Sequence, residues 1–151
     1  VLGLIHKEKG ETEKAAAELA RFTALSETHY QAHLDLAALQ EKLGNAAAAA
    51  ATLAAALYIY PFEAPVHAKL ASIYADSGKW PEAVRERRAI VGLSPVDKVE
   101  AIYQLALAHF QAGNPRAARS EVLKALELAP NFDRAQELLL KLARPPRGAE
   151  K

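Results

Sequence analysis

The sequence contains no cysteine, which excludes disulfide staples, thiolate nucleophiles and cysteine-ligated zinc. Both a reducing cytoplasm and a periplasm stay open as settings. Methionine is absent as well, so Val1 is not a natural first residue. A longer chain is therefore expected upstream, carrying any targeting signal. Long apolar runs are also missing. Residues 46–57 are mostly alanine and only about a dozen long, against roughly 20 needed to cross a bilayer. An alanine-rich helix is expected there, because alanine has the highest helix propensity. Nor is one sign of charge in excess: 19 basic and 18 acidic side chains leave a net charge of +1. Nothing global recruits nucleic acid or an anionic membrane.

What is present suits a soluble helical domain. Hydrophobic residues are 51% of the 151 and charged residues 25%, which excludes disorder. The charges are unevenly placed, with six Lys/Arg and eight Asp/Glu in residues 1–75 and 13 and ten in the remainder. Solvated helix faces account for that asymmetry.

The glycines give the organising pattern. Gly10, Gly44, Gly78 and Gly113 stand 34, 34 and 35 residues apart, each in a polar break. A glycine just past an amphipathic segment is a helix C-terminal signal, since it takes a positive φ without steric cost. Other positions keep the register. Five residues after each glycine comes Ala15, Ala49, Ala83 or Ala118, small enough for two helices to approach closely. Eight residues before each comes Leu2, Leu36, Leu70 or Leu105, followed by Gly3, Ala37, Ala71 or Ala106. Seventeen residues after, Pro61, Pro95 and Pro130 mark helix stops, with Glu27 in the first unit.

In these positions the chain resembles a tetratricopeptide repeat array over essentially its whole length. The resemblance implies an all-α fold, a right-handed α-α superhelix of antiparallel hairpins, and no catalysis in this segment. A partial repeat is expected at 1–29, with 1–9 the remnant of a helix paired with 11–25. Repeats follow at 30–63, 64–98 and 99–132, with helices near 28–43/46–59, 64–77/80–92 and 98–112/115–128. A capping helix is expected at 132–143, ended by Arg144-Pro145-Pro146, and a disordered tail at 144–151. The aromatic slot four residues into the unit holds His33, His67 or Ile102, and only Trp80 fills the slot after the turn glycine.

A narrower resemblance lies in the strings Leu57-Tyr58-Ile59-Tyr60-Pro61-Phe62, Val84-Arg85-Glu86-Arg87-Arg88, Ser94-Pro95-Val96-Asp97 and Ala135-Gln136-Glu137-Leu138-Leu139-Leu140. They look like the repeat tail of large bacterial proteins whose upstream part resembles a gluzincin zinc peptidase. The His-Glu-x-x-His signature of that family is absent from this chain, so the resemblance assigns catalysis to no residue here.

Catalytic and metal chemistry find no constellation. His29 and His33 are four apart and could share a helix face, but no carboxylate supports them at ligand spacing. His33 and His67 share one repeat position, and His6 and His109 another. Packed histidines with a hydrogen-bonded nitrogen are the expected reading, with no metal and no cofactor. The serines have no nucleophile elbow, and no glycine-rich phosphate loop exists. Arg85, Arg87 and Arg88 follow or flank Glu82 and Glu86, which predicts ion pairs on a helix surface.

The informative surface is the one that the first helix of each hairpin gives the concave groove in tetratricopeptide proteins. Offsets of 10, 6, 3 and 2 before each turn glycine predict groove residues Leu34, Ala38, Glu41 and Lys42, then Ala68, Ser72, Ala75 and Asp76. The next unit gives Tyr103, Leu107, Phe110 and Gln111, and the truncated first gives Leu4, Lys7 and Glu8. Tyr103, Leu107 and Phe110 form a helical stripe opposite Ile102, Leu105, Ala106 and His109, more apolar surface than a hairpin core needs. Either the groove or the capping helix uses it. The resemblance also implies that repeat proteins clamping a chaperone's C-terminal carboxylate place Lys and Asn at the offsets of 10 and 6, where this chain has Leu34/Ala38, Ala68/Ser72 and Tyr103/Leu107. The expected partner is thus an apolar or amphipathic protein segment, with no nucleic acid and no membrane insertion. Self-association through the uncapped N-terminal end is the further expectation.

Overall fold

The computed structural model describes the backbone of residues 2–143 and the side chains of residues 10–143. Those residues form eight α-helices and no strand: α1 (Leu2–Leu25), α2 (Tyr30–Lys42), α3 (Ala46–Ile59), α4 (Ala64–Asp76), α5 (Trp80–Gly92), α6 (Lys98–Gln111), α7 (Pro115–Leu128) and α8 (Asp133–Ala143). The chain divides into two units, the first ending at Val66 and the second beginning at His67.

Three turns share one construction. Gly44, Gly78 and Gly113 have φ of +76°, +70° and +75°. In each, the glycine N–H donates three residues back, Gly44 to Glu41 at 2.8 Å, Gly78 to Ala75 at 3.0 Å and Gly113 to Phe110 at 3.1 Å. The next N–H donates five residues back, Asn45 to Gln40, Lys79 to Tyr74 and Asn114 to His109 at 2.8, 2.8 and 2.9 Å. This paired pattern satisfies the last carbonyls of the helix, and it needs a left-handed residue that glycine supplies at no Cβ penalty. The residues just past each glycine start the next helix. The Asn45 side chain accepts from Ala48 N–H at 3.3 Å, while α5 and α7 carry Pro81 and Pro115 in the first turn, where a missing N–H costs nothing. His29 and Asp97 cap α2 and α6 through Ala32 and Glu100 N–H at 3.3 and 2.9 Å.

The expected turn at Gly10 does not form. Helix α1 runs continuously from Leu2 to Leu25, through Gly10, whose φ is not positive. Gly10 is followed by Glu11-Thr12, with no asparagine cap or proline behind it, so nothing starts a second helix. The register moves accordingly: Ala15 is exposed and Ala16 is buried. The longer third glycine interval is taken up by a helix of 14 residues, α6, where α2 and α4 have 13.

In the first unit α1 packs on α2 and α2 on α3. Ala37, Ala49 and Ala56 are fully buried and Leu53 is 2% exposed, so small side chains let the helices close. In the second unit α5 packs on α6, α6 on α7 and α7 on α8. Ile102, Ala106, Val122, Ala125, Ala135 and Leu138 form its main buried cluster. Helix α8 thus contributes core residues to this unit. The tail expected at 144–151 lies outside the described residues.

Candidate functional site

The sequence-predicted groove residues fall on the three first helices of the hairpins. On α2, Leu34 and Glu41 are half-buried and Ala38 and Lys42 exposed. On α4, Ala68 and Ala75 are half-buried and Ser72 and Asp76 exposed. On α6, Gln111 is exposed, while Tyr103, Leu107 and Phe110 are half-buried against the Ile102–Val122–Leu138 cluster. The side chains of Leu4, Lys7 and Glu8 lie outside the described residues.

Helix α8 engages one end of the α6 stripe. The Tyr103 ring meets Phe132 edge-on, with centroids 5.3 Å apart and planes at 85°. The Arg134 guanidinium lies 4.9 Å from each of these two ring centroids. It also forks onto Glu100, Nη1 reaching Oε1 at 3.3 Å and Nη2 reaching Oε2. Gln104 donates to the same carboxylate at 2.8 Å. A cation held by two rings and a forked carboxylate is a directional contact, and it fixes the start of α8 over Tyr103. Leu139 and Leu142 of α8 pack against the same cluster as Leu107 and Phe110.

The histidines take structural places. His33 Nδ1–H donates to the His29 carbonyl at 3.1 Å, and His29 itself caps α2. Buried His67 donates from Nδ1 to Glu86 Oε2 at 2.7 Å. Glu86 is only 5% exposed, so the ion pair expected of it forms with Arg85 from a buried carboxylate and not on the helix surface. The aromatic slot at His67 brings a polar nitrogen into the hairpin, and a carboxylate from the facing helix satisfies it. Arg85 reaches the other oxygen, Nε at 2.9 Å and Nη2 at 2.8 Å, and this hydrogen bond raises its pKa. Arg87 is half-buried, and desolvation lowers its pKa against the opposing pull of Glu100. Glu86 carried a readable signal, because Thr52, Glu86 and Glu121 all stand eight residues after a turn glycine. Thr52 donates to Gln40 at 2.8 Å, another polar link between paired helices. His109 departs from the pattern: its buried Nδ1 has no partner among the described residues. Burial, with Arg88 in support and Glu121 opposing, lowers its pKa.

Tetratricopeptide-repeat family models match residues 1–64 and 99–132. The chain is a tetratricopeptide repeat protein. Among curated proteins, none matches this sequence. Solved structures share the fold. MamA aligns with a TM-score of 0.67 at 18% identity, over 93% of this chain and 76% of that one. The second such domain of human RPAP3, in complex with the HSP70 peptide SGPTIEEVD, aligns at 0.61 and 19% identity, over 75% and 93%. YrrB, described as having an unusual peptide-binding site, aligns at 0.60 and 16% identity, over 84% and 65%. At these identities the likeness is one of fold. No helix among the described residues is long and apolar enough to cross a membrane.

Proposed function

We propose that this chain is a non-catalytic interaction scaffold that holds an apolar or amphipathic protein segment. Its contacts would be Leu34, Ala38 and Glu41 on α2, Ala68, Ser72 and Ala75 on α4, and Tyr103, Leu107, Phe110 and Gln111 on α6. The observation that carries the reading is the α6 stripe, whose three large side chains stay half-buried after α8 has packed. Apolar area of this kind anchors peptides in grooves. Peptide complexes of RPAP3 and the peptide-binding site described for YrrB support an interaction role. The ligand chemistry differs from a carboxylate clamp, because the offsets of 10 and 6 hold Leu34/Ala38, Ala68/Ser72 and Tyr103/Leu107 in place of Lys and Asn.

The test uses exposed positions, so that folding and binding separate. A segment recovered on the immobilised protein is titrated against wild type, Ala38→Arg and Ser72→Arg. Both variants should weaken binding while leaving the unfolding temperature unchanged. Unaltered affinity in both would remove the groove reading. A second reading, resting on the inter-repeat strings, is an accessory region of a larger bacterial zinc peptidase. It predicts an upstream His-Glu-x-x-His on a helix in the full-length gene product. Self-association predicts a mass in solution that rises with concentration.

A further inference from the structure

The first unit carries a cleft of about 420 Å³ that the groove reading does not use. Its apolar walls are the final turns of α1, with Ala24, and of α3, with Ala55 and Ile59. Glu27, His33 and Tyr58 add its functional groups. Two helices therefore end at one place. A helix C-terminus carries roughly half a unit of negative charge, and its last carbonyls lack intrahelical partners. Neither α1 nor α3 has a basic residue in its last turn to offset this.

The side chains add to the same sign. Among the described residues, Glu27 is the one formally charged group lining the cleft. Arg21, the closest basic residue in sequence, is paired with Glu18 at 3.1 Å. His33 Nδ1 bonds to a carbonyl, which can only accept, so that nitrogen holds the proton and a neutral ring leaves Nε2 as an acceptor. The Thr23 hydroxyl directs its proton to Ala20 O at 3.1 Å. Tyr58 stands 94% exposed, an aromatic ring lining the same cleft as the Glu27 carboxylate. The second unit shows what such a pair takes, since Arg134 lies over Tyr103 and Phe132 and forks onto Glu100.

We infer that this cleft receives an arginine side chain from a basic segment of a partner protein. The guanidinium meets Glu27 and the Tyr58 ring, and the alkyl stem lies along Ala24, Ala55 and Ile59. Arginine fits better than lysine because its plane stacks on an aromatic face and its fork matches a carboxylate. The site stands apart from the proposed groove residues, so either can fail without the other.

The test is an NMR titration of the ¹⁵N-labelled chain with acetyl-Leu-Arg-Leu-amide. Amide shifts are expected at Thr23, Glu27, His33, Ala55 and Tyr58, and no comparable shifts with the citrulline or lysine counterparts. Glu27→Gln and Tyr58→Ala should each weaken binding roughly fivefold, and Tyr58→Phe should retain it. Both positions are exposed, so the variants keep the fold. An absent response at the cleft, an equal response to citrulline or lysine, or shifts confined to Tyr103–Phe110 would overturn the inference.

Discussion

At the scale of single residues, three alanines govern how closely the paired helices approach. Ala49, Ala83 and Ala118 are between 0% and 1% exposed, and any added methyl must displace a neighbouring helix. Ala83→Leu should overpack the α4–α5 hairpin and cost ~1–3 kcal/mol in urea unfolding. The counterpart in the first unit, Ala15, is exposed, so Ala15→Leu should stay within about 0.5 kcal/mol of wild type. Equal costs would mean that Ala15 also packs in a hairpin. The buried His109 supplies a second test. Burial lowers its pKa below 6.5 in the folded protein, so the unfolded chain takes up the proton more readily. Its contribution to stability is complete above about pH 6.5 and is lost as pH falls through the lower folded value. His109→Gln should therefore flatten the fall in unfolding free energy below that pH, read by denaturant titration at several pH values.

At the scale of elements, a turn glycine acts only in company. Gly44, Gly78 and Gly113 stop their helices where Asn45, Pro81 and Asn114-Pro115 come after them as helix starts. Gly10 has the same spacing but no such successor, and the helix passes through it. Spacing alone does not encode a turn; the chemistry on both sides does. The consequence is a reversal of sign. Gly113→Ala places a Cβ at φ +75° and should destabilise by about 1–2 kcal/mol. Gly10→Ala lies inside a helix and should stabilise by about 0.5–1 kcal/mol. Nothing lies within 4 Å of either added Cβ, so thermal unfolding reads backbone conformation alone. Destabilisation by Gly10→Ala would show a turn there. Glu86 was marked by its repeat position eight residues after a turn glycine, but its buried partner was hidden for a related reason. Its surroundings are set by His67, 19 residues away, and i+3 or i+4 neighbours on its own helix carry no trace of that partner.

At the scale of the whole molecule, fold and partner rest on different foundations. The fold comes from repeated small residues and three repeated turns, and solved tetratricopeptide structures share it. The proposed partner rests on what remains accessible once the cores are filled: the α6 stripe, and exposed Ala38 and Ser72 on the preceding first helices. Tyr103 was readable as surplus apolar surface open to either the groove or the capping helix, yet the Arg134 contact was not, because Arg134 reaches Glu100 across 34 residues. A partner at this end must share Tyr103 with α8, while Leu107 and Phe110 are half-buried.

The central claim, that the groove helices hold a protein segment, is tested most directly by measuring that segment's affinity for wild type and Ser72→Arg. The expected result is a loss on the order of tenfold with an unchanged unfolding temperature. Equal affinity for the two proteins would contradict the claim.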